Sequence, residues 1–405
     1  MELERHVLSS LETALGEETL GRLEQSAAAI VRAKENGGKV VAVVGSGPNL
    51  HEGVTTLIAA LIGKGIIDGV ITSSAVICHE MGGTLDRVHR VHTNELPGVD
   101  LSPSRDSILE ASIISDDLLE EIRTEIPFDE TYYRNLLAAP GKDIIKAAAN
   151  LAYPMGYRTE RLAREAQALA AAASVPLEVV VGLGADPMTM IGAGARRGVP
   201  VLVGIPQLIG GGAVGLAVGD SMTITERASR VARLLGSADV IIESAVALTQ
   251  EIHDGPFETY TGHGLWAEWS GQWTYSLADK KLIRIDLDPN LELAWHHERT
   301  DGTVSQAIAN GLPKTKLMGV PFRMEMSGFA RLPGSLPLVA DIGIAWPLLA
   351  ARVSTALGVD LDFMSYPQST PEGQAMRERI VREVHPVSRT RMLEAARNLL
   401  EDGDL

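Results

Sequence analysis

The chain has 405 residues, 45% apolar and 22% charged, an ordinary globular composition long enough for one large α/β domain with extensions or for two or three domains. Its 36 basic and 52 acidic residues leave a net charge of −16, which excludes the broad basic surface that nucleic-acid backbones require. A single cysteine, Cys78, excludes an intramolecular disulfide framework and a cysteine-rich zinc site. No apolar run reaches the roughly 18 residues of a membrane span. The opening, MELERHVLSS, lacks the basic and apolar regions of a secretory signal. The expectation is a soluble cytoplasmic protein with no membrane and no nucleic-acid partner.

Residues 3–35 read as mostly helix, with apolar side chains recurring at three- and four-residue steps, and Asn36-Gly37-Gly38 stops it. Residues 39–44 (KVVAVV) read as a strand buried on both faces. A glycine-rich turn, Gly45-Ser-Gly-Pro-Asn49, leads into helical spacing over 50–64, and 66–73 (IIDGVITS) reads as a second strand. Strand, turn, helix and strand make a βαβ unit. Residues 93–135 are charged and broken by Pro97, Pro103 and Pro127, the mark of an insertion, followed by helices over about 141–152 and 158–173. Strands are expected again at 177–182 (LEVVVG), 199–204, 239–244, 282–287 and 338–344, with helices near 188–197, 222–236, 345–358 and 388–402. This alternation predicts an α/β fold with a Rossmann-like, doubly wound, mostly parallel sheet. It carries an N-terminal helical extension (1–36), a helical or irregular insertion (93–176) and a C-terminal helical extension (361–405). The catalytic domain comprises 37–92 and 177–360.

Ligands of such sheets sit beyond the carboxyl ends of the strands, near the point where the strand order reverses. There the first strand meets Gly45, Gly47 and Asn49, although the glycine spacing departs from G-x-G-x-x-G. The second ends in Thr72-Ser73-Ser74, hydroxyls that bond ribose or phosphate oxygens or cap a helix equally well. Gly210-Gly211-Gly212 is either a ligand cradle or a flexible loop, and Glu243 and Ser244 close another strand. The stretch from Glu251 through His253 to His263 is rich in groups that move protons, as is the pair His79 and Glu80. His79, Asp86, His89 and His92 form a rival constellation. The last three lie three apart, so on a helix they would share a face and could bind a divalent metal, although Arg87 and Arg90 oppose a cation there. Trp266, Trp269, Trp273 and Tyr275 gather aromatics that suit a packed lid, a subunit contact or the wall of an apolar amine site.

Several segments in the same order resemble the deoxyhypusine synthase-like group, which includes bacterial homospermidine synthases and the NAD-binding domain of archaeal-type ornithine cyclodeaminases. Gly47-Pro-Asn-Leu-His-Glu-Gly53 is similar to its S-N-L-x-x-S-G turn, and Ile67-Asp-Gly-Val-Ile-Thr-Ser-Ser74 to its V-D-x-x-V-T-T-A-G strand end. Arg197 through Pro206 resembles N-N-I-P-V-x-x-P-A-L, Gln250-Glu-Ile-His-Asp-Gly255 resembles Q-E-F-D-G, and Ala340-Asp341 to Leu349 resembles A-D-A-T-x-x-F-P-L-L. The family's lysine motif S-W-G-K is departed from here, where Glu268-Trp-Ser-Gly-Gln272 stands. The resemblance implies NAD as cofactor, a small amine or amino acid oxidised transiently to an imine, and a homo-oligomer, tetramer or dimer. Deamination, cyclisation or aminoalkyl transfer would follow, a lyase or transferase activity. On this reading Gly45, Gly47, Asn49, Ser73, Ser74, Gly211, Gly212, Glu243 and Asp341 hold the dinucleotide. His79, Glu80, Glu251, His253 and His263 supply acid, base and ammonium-binding groups. The alternatives are a metal-dependent hydrolase or lyase built on His79, Asp86, His89 and His92, and a non-catalytic nucleotide-binding protein.

Overall fold

The computed structural model describes residues 2–96, 107–146, 151–204, 210–244, 279–287 and 334–402, with isolated positions between 296 and 310. Six parallel strands form the main sheet: β1 (Val40–Val44), β2 (Gly69–Thr72), β6 (Val201–Val203), β7 (Val240–Ser244), β8 (Lys281–Asp286) and β9 (Ser335–Val339). Their spatial order is β6-β2-β1-β7-β8-β9. Counted along the chain within this sheet alone, that is 3-2-1-4-5-6, so the order reverses between β1 and β7.

All five residues of β1 are buried, as a β-branched run between two helical layers should be. On one face Val40, Ala42 and Val44 join the large core with Leu23 and Ile30 of α2 (Glu17–Glu35), Leu57 and Ile58 of α4 (Val54–Gly63), and Trp346 and Leu349 of α13 (Ile342–Leu357). On the other, Val41 and Val43 pack with Val231, Leu234 and Leu235 of α12 (Ile224–Gly236). Helices on both faces make the fold the expected Rossmann-like, doubly wound α/β. Gly16 parts α2 from α1 (Glu2–Thr13), so the N-terminal helix is two helices. Among the described residues no single helix is long and apolar enough to cross a membrane.

Four local expectations need correction. Residues 177–182 are not a strand but the start of helix α9 (Leu177–Gly184). Pro176 supplies the extended residue from which the helix opens, and a short apolar run has no periodicity that separates a buried strand from a helix buried on nearly all sides. The helix expected over 141–152 is, in its described part, strand β5 (Lys142–Lys146), whose Ile144 and Ile145 favour an extended chain. The third concerns β3 (Asp86–His92), which pairs antiparallel with β4 (Ile108–Ser112) and β5 in a second sheet ordered β4-β3-β5. Its small core is Val91, Ala111, Leu119, Tyr133 and Leu136, contributed in part by α6 (Asp116–Glu125) and α7 (Glu130–Ala138). The stretch expected to be a helical insertion thus carries strands as well. Finally, the last parallel strand ends at Val339, and Asp341 already caps α13.

The C-terminal segment belongs to the large core. Met376 and Ile380 of α14 (Pro371–Glu383) and Met392 of α15 (Arg389–Asp402) are all buried within it.

Candidate functional site

The carboxyl edge of the main sheet gathers the turn after β1 with the ends of β2, β7 and β9. The turn after β1 runs directly into α3 (Ser46–His51). It is fixed by a chain of donors: Trp346 Nε1 donates to Ser244 Oγ (3.0 Å), Ser244 Oγ to Asn49 Oδ1 (2.6 Å), and Asn49 Nδ2 to the Gly45 carbonyl (2.7 Å). Asn49, Ser244 and Trp346 are essentially inaccessible, so every link lies in the interior. Asn49 therefore positions the turn from behind. Asn49→Ala strands the Gly45 carbonyl and the Ser244 hydroxyl, and should destabilise the protein by about 2 kcal/mol in urea unfolding. An unchanged midpoint would contradict the assignment.

Ser73 and Ser74 follow β2. Ser73 Oγ accepts from Val76 N–H and caps α5 (Ser74–Met81), and Ser74 Oγ donates to the Gly210 carbonyl at 2.9 Å. Gly210, Gly211 and Gly212 all have positive φ. A Cβ on Gly211 would stand 2.9 Å from the Ser74 carbonyl oxygen and 3.0 Å from Cys78 Cβ, so glycine here permits close packing on α5. Asp341 accepts from Gly343 N–H and opens α13.

His79 and Glu80 lie elsewhere. Glu80 is about 9 Å along α5 from Ser74 and wholly buried. Its two oxygens accept from Met190 N–H (2.8 Å) and Ile191 N–H (3.1 Å), at the N-terminus of α10 (Met190–Arg197). Burial raises its pKa to about 7 against those two bonds. Glu80 is thus a helix anchor in this structure, and His79 is buried beside it in the last turn of α5. Glu243 is buried and paired with Arg284, its partner across β7 and β8. Glu251, His253, His263 and the aromatic group at 266–275 lie outside the described residues.

The metal constellation is not assembled. Asp86, His89 and His92 are on a strand, where side chains alternate, so His89 points away from the face of Asp86 and His92. His89 instead contacts Asp143 and the Ala139 carbonyl. Among the described residues no three His, Cys, Asp or Glu side chains are placed to hold a metal.

The structure adds groups that pattern reading passed over. His51 and Glu52 end α3, on the same short segment as Gly45 and Gly47. Glu52 is buried and accepts from Gln368 N–H (2.7 Å) and Gln368 Nε2 (2.8 Å). Burial raises its pKa, the Gln368 bonds oppose this, and nearby Asp341 adds to the rise. Gly343 leaves it room, since a Cβ there would be 2.5 Å from Glu52 Oε2. Arg377 of α14 donates to His51 Nδ1 at 3.1 Å. Burial, then Arg377, lowers the His51 pKa, so the imidazole is neutral at pH 7. The His51-Glu52 pair, shortly beyond the end of β1, was a visible signal. Arg377 and Gln368, more than 300 residues distant, were not.

No family model and no curated protein matches the chain. Among solved structures, a mutant of AgrE in binary complex with L-arginine aligns at 13% identity and TM-score 0.41, covering 85% of this chain and 34% of that one. AgrE in ternary complex with ornithine and NAD+ aligns at 12% and 0.38, covering 82% and 32%. A conserved LOR/SDH protein from Methanococcus maripaludis aligns at 12% and 0.38, covering 84% and 70%. This chain thus spans about a third of the AgrE chain's length.

Proposed function

We propose that the protein is an NAD-linked enzyme that converts a small amine or amino acid. The observation that carries this reading is the strand order, which reverses between β1 and β7 where the Gly45–Gly47 turn stands. The fit to a dinucleotide is good at the phosphate end: Gly45 is extended and Gly47 adds no side chain to the first turn of α3. The end of β2 carries no acidic residue for the ribose, and the Ser73 and Ser74 hydroxyls there already serve the α5 cap and the Gly210 carbonyl. Bound NAD would supply reversible acceptance of hydride from a carbon that bears an amine. This chain would hold the cofactor's phosphates on the turn and keep Glu52, a carboxyl tuned toward neutrality, within the same edge for proton exchange. The resemblance to the deoxyhypusine synthase-like group supports the same chemistry, and deamination and aminoalkyl transfer both pass through an imine. AgrE holds ornithine and NAD+ in its own complex.

The test is thermal. Millimolar NAD, which binds only the folded state, should raise the melting temperature by a few degrees. Gly47→Glu, an acidic residue at a half-exposed first-turn position, should keep the fold and abolish that rise. No rise in the wild-type protein would overturn the cofactor assignment.

A further inference from the structure

We propose that Arg377, with His51, is a carboxylate-binding subsite, so that the substrate is an amino acid rather than a simple amine; this rests on the NAD-linked reading above. Arg377 Nη2 donates to the Ile145 carbonyl of β5 at 3.2 Å as well as to His51 Nδ1, and both acceptors are neutral. Among the described residues the guanidinium makes no ion pair, and its Nε is buried with no hydrogen-bond partner. The two carboxylates that act on it electrostatically are bonded elsewhere, Glu52 with Gln368 and Glu378 with Arg87.

A half-buried cation that no carboxylate contacts directly is under-compensated, and burial lowers the Arg377 pKa against the more distant pull of Glu52 and Glu378. A ligand carboxylate supplies that direct contact and takes up the vacant N–H groups of a planar fork. Glu52 and Glu378 are close enough to act on Arg377, which favours a single negative charge over a phosphate dianion. The position fits as well. Helix α3 has six residues, so His51 is about 9 Å from the turn assigned to the dinucleotide. The subsite also joins three parts of the fold, α3 of the main sheet, β5 of the second sheet and C-terminal α14.

The experiment uses amino acids matched with the amines left when their carboxylate is removed: L-ornithine and putrescine, L-lysine and cadaverine, L-arginine and agmatine. Binding is read by calorimetry on the full chain, with and without NAD, while NAD's own thermal shift is recorded in parallel. At least one amino acid should bind about tenfold or more tightly than its amine. Arg377→Gln should erase that preference and leave the NAD shift in place, and Arg377→Lys should restore part of it. Equal binding of every pair, no binding by any of the three amino acids, an unchanged preference in Arg377→Gln, or inorganic phosphate displacing the bound amino acid would each overturn the subsite. Loss of the NAD shift in the wild-type protein would instead count against the cofactor reading.

Discussion

Arg227→Met should destabilise the protein by about 3–5 kcal/mol, because it leaves a carboxylate alone in the interior. Arg227 and Glu178 are both essentially inaccessible. Arg227 reaches the Glu178 carboxylate with both terminal nitrogens, and Nη2 also donates to the Val218 carbonyl at 2.9 Å and to Ser221 Oγ at 3.3 Å. Glu178 Oε1 in turn accepts from Val203 N–H at 2.8 Å. The pair therefore ties β6 to α9, α11 (Ala213–Asp220) and α12. The double variant Glu178→Leu with Arg227→Met removes the orphaned charge and should recover part of the loss. Urea unfolding of the four proteins measures this as a double-mutant cycle. Additive losses would show that the two side chains are not coupled.

Stability should fall as pH rises from about 5 to about 8, and Glu80→Gln should flatten that fall. Glu80 has a folded-state pKa of about 7, raised from 4.5 by burial. The folded state thus holds a proton that the unfolded state has already released, and in that window stability decreases with pH. The shift corresponds to about 3 kcal/mol between the two ends. Asp86 acts with the same sign at lower pH: burial first, opposed by Lys146 and Ser112, sets its pKa at about 6. Urea midpoints at pH 5, 6.5 and 8 give the slope for both proteins. Identical slopes would show that Glu80 titrates normally.

The parallel sheet was legible because KVVAVV and the runs at 201–203 and 240–244 are short, mostly apolar and bounded by turns, a pattern that a strand buried on both faces imposes, while 281–286 (KLIRID) keeps Leu282, Ile283 and Ile285 among charged residues. The same pattern misled at 177–182, where a helix enclosed by other helices needs equally apolar residues. Asp86, His89 and His92 misled for a related reason: spacing carries meaning only once the local period is known, and β3 has a period of two. Ser73, Gly211 and Asp341 could be recognised as turn residues, but not their partners, since a cap and a ligand contact ask for the same side chain. Glu80 reads as a catalytic acid beside His79; its engagement with α10, 110 residues away, is decided by packing. Arg377 could not be found from sequence, because its significance lies in which carboxylates do not reach it.

The indole–hydroxyl–amide chain behind the glycine turn has an optical consequence. Of the five tryptophans only Trp346 lies within the described residues, sealed in the core with its N–H directed at Ser244. A molecule seated on the turn would perturb, through Asn49 and Ser244, a chromophore it never touches. A protein keeping Trp346 as its sole fluorophore would carry an internal reporter of occupancy at the sheet's edge.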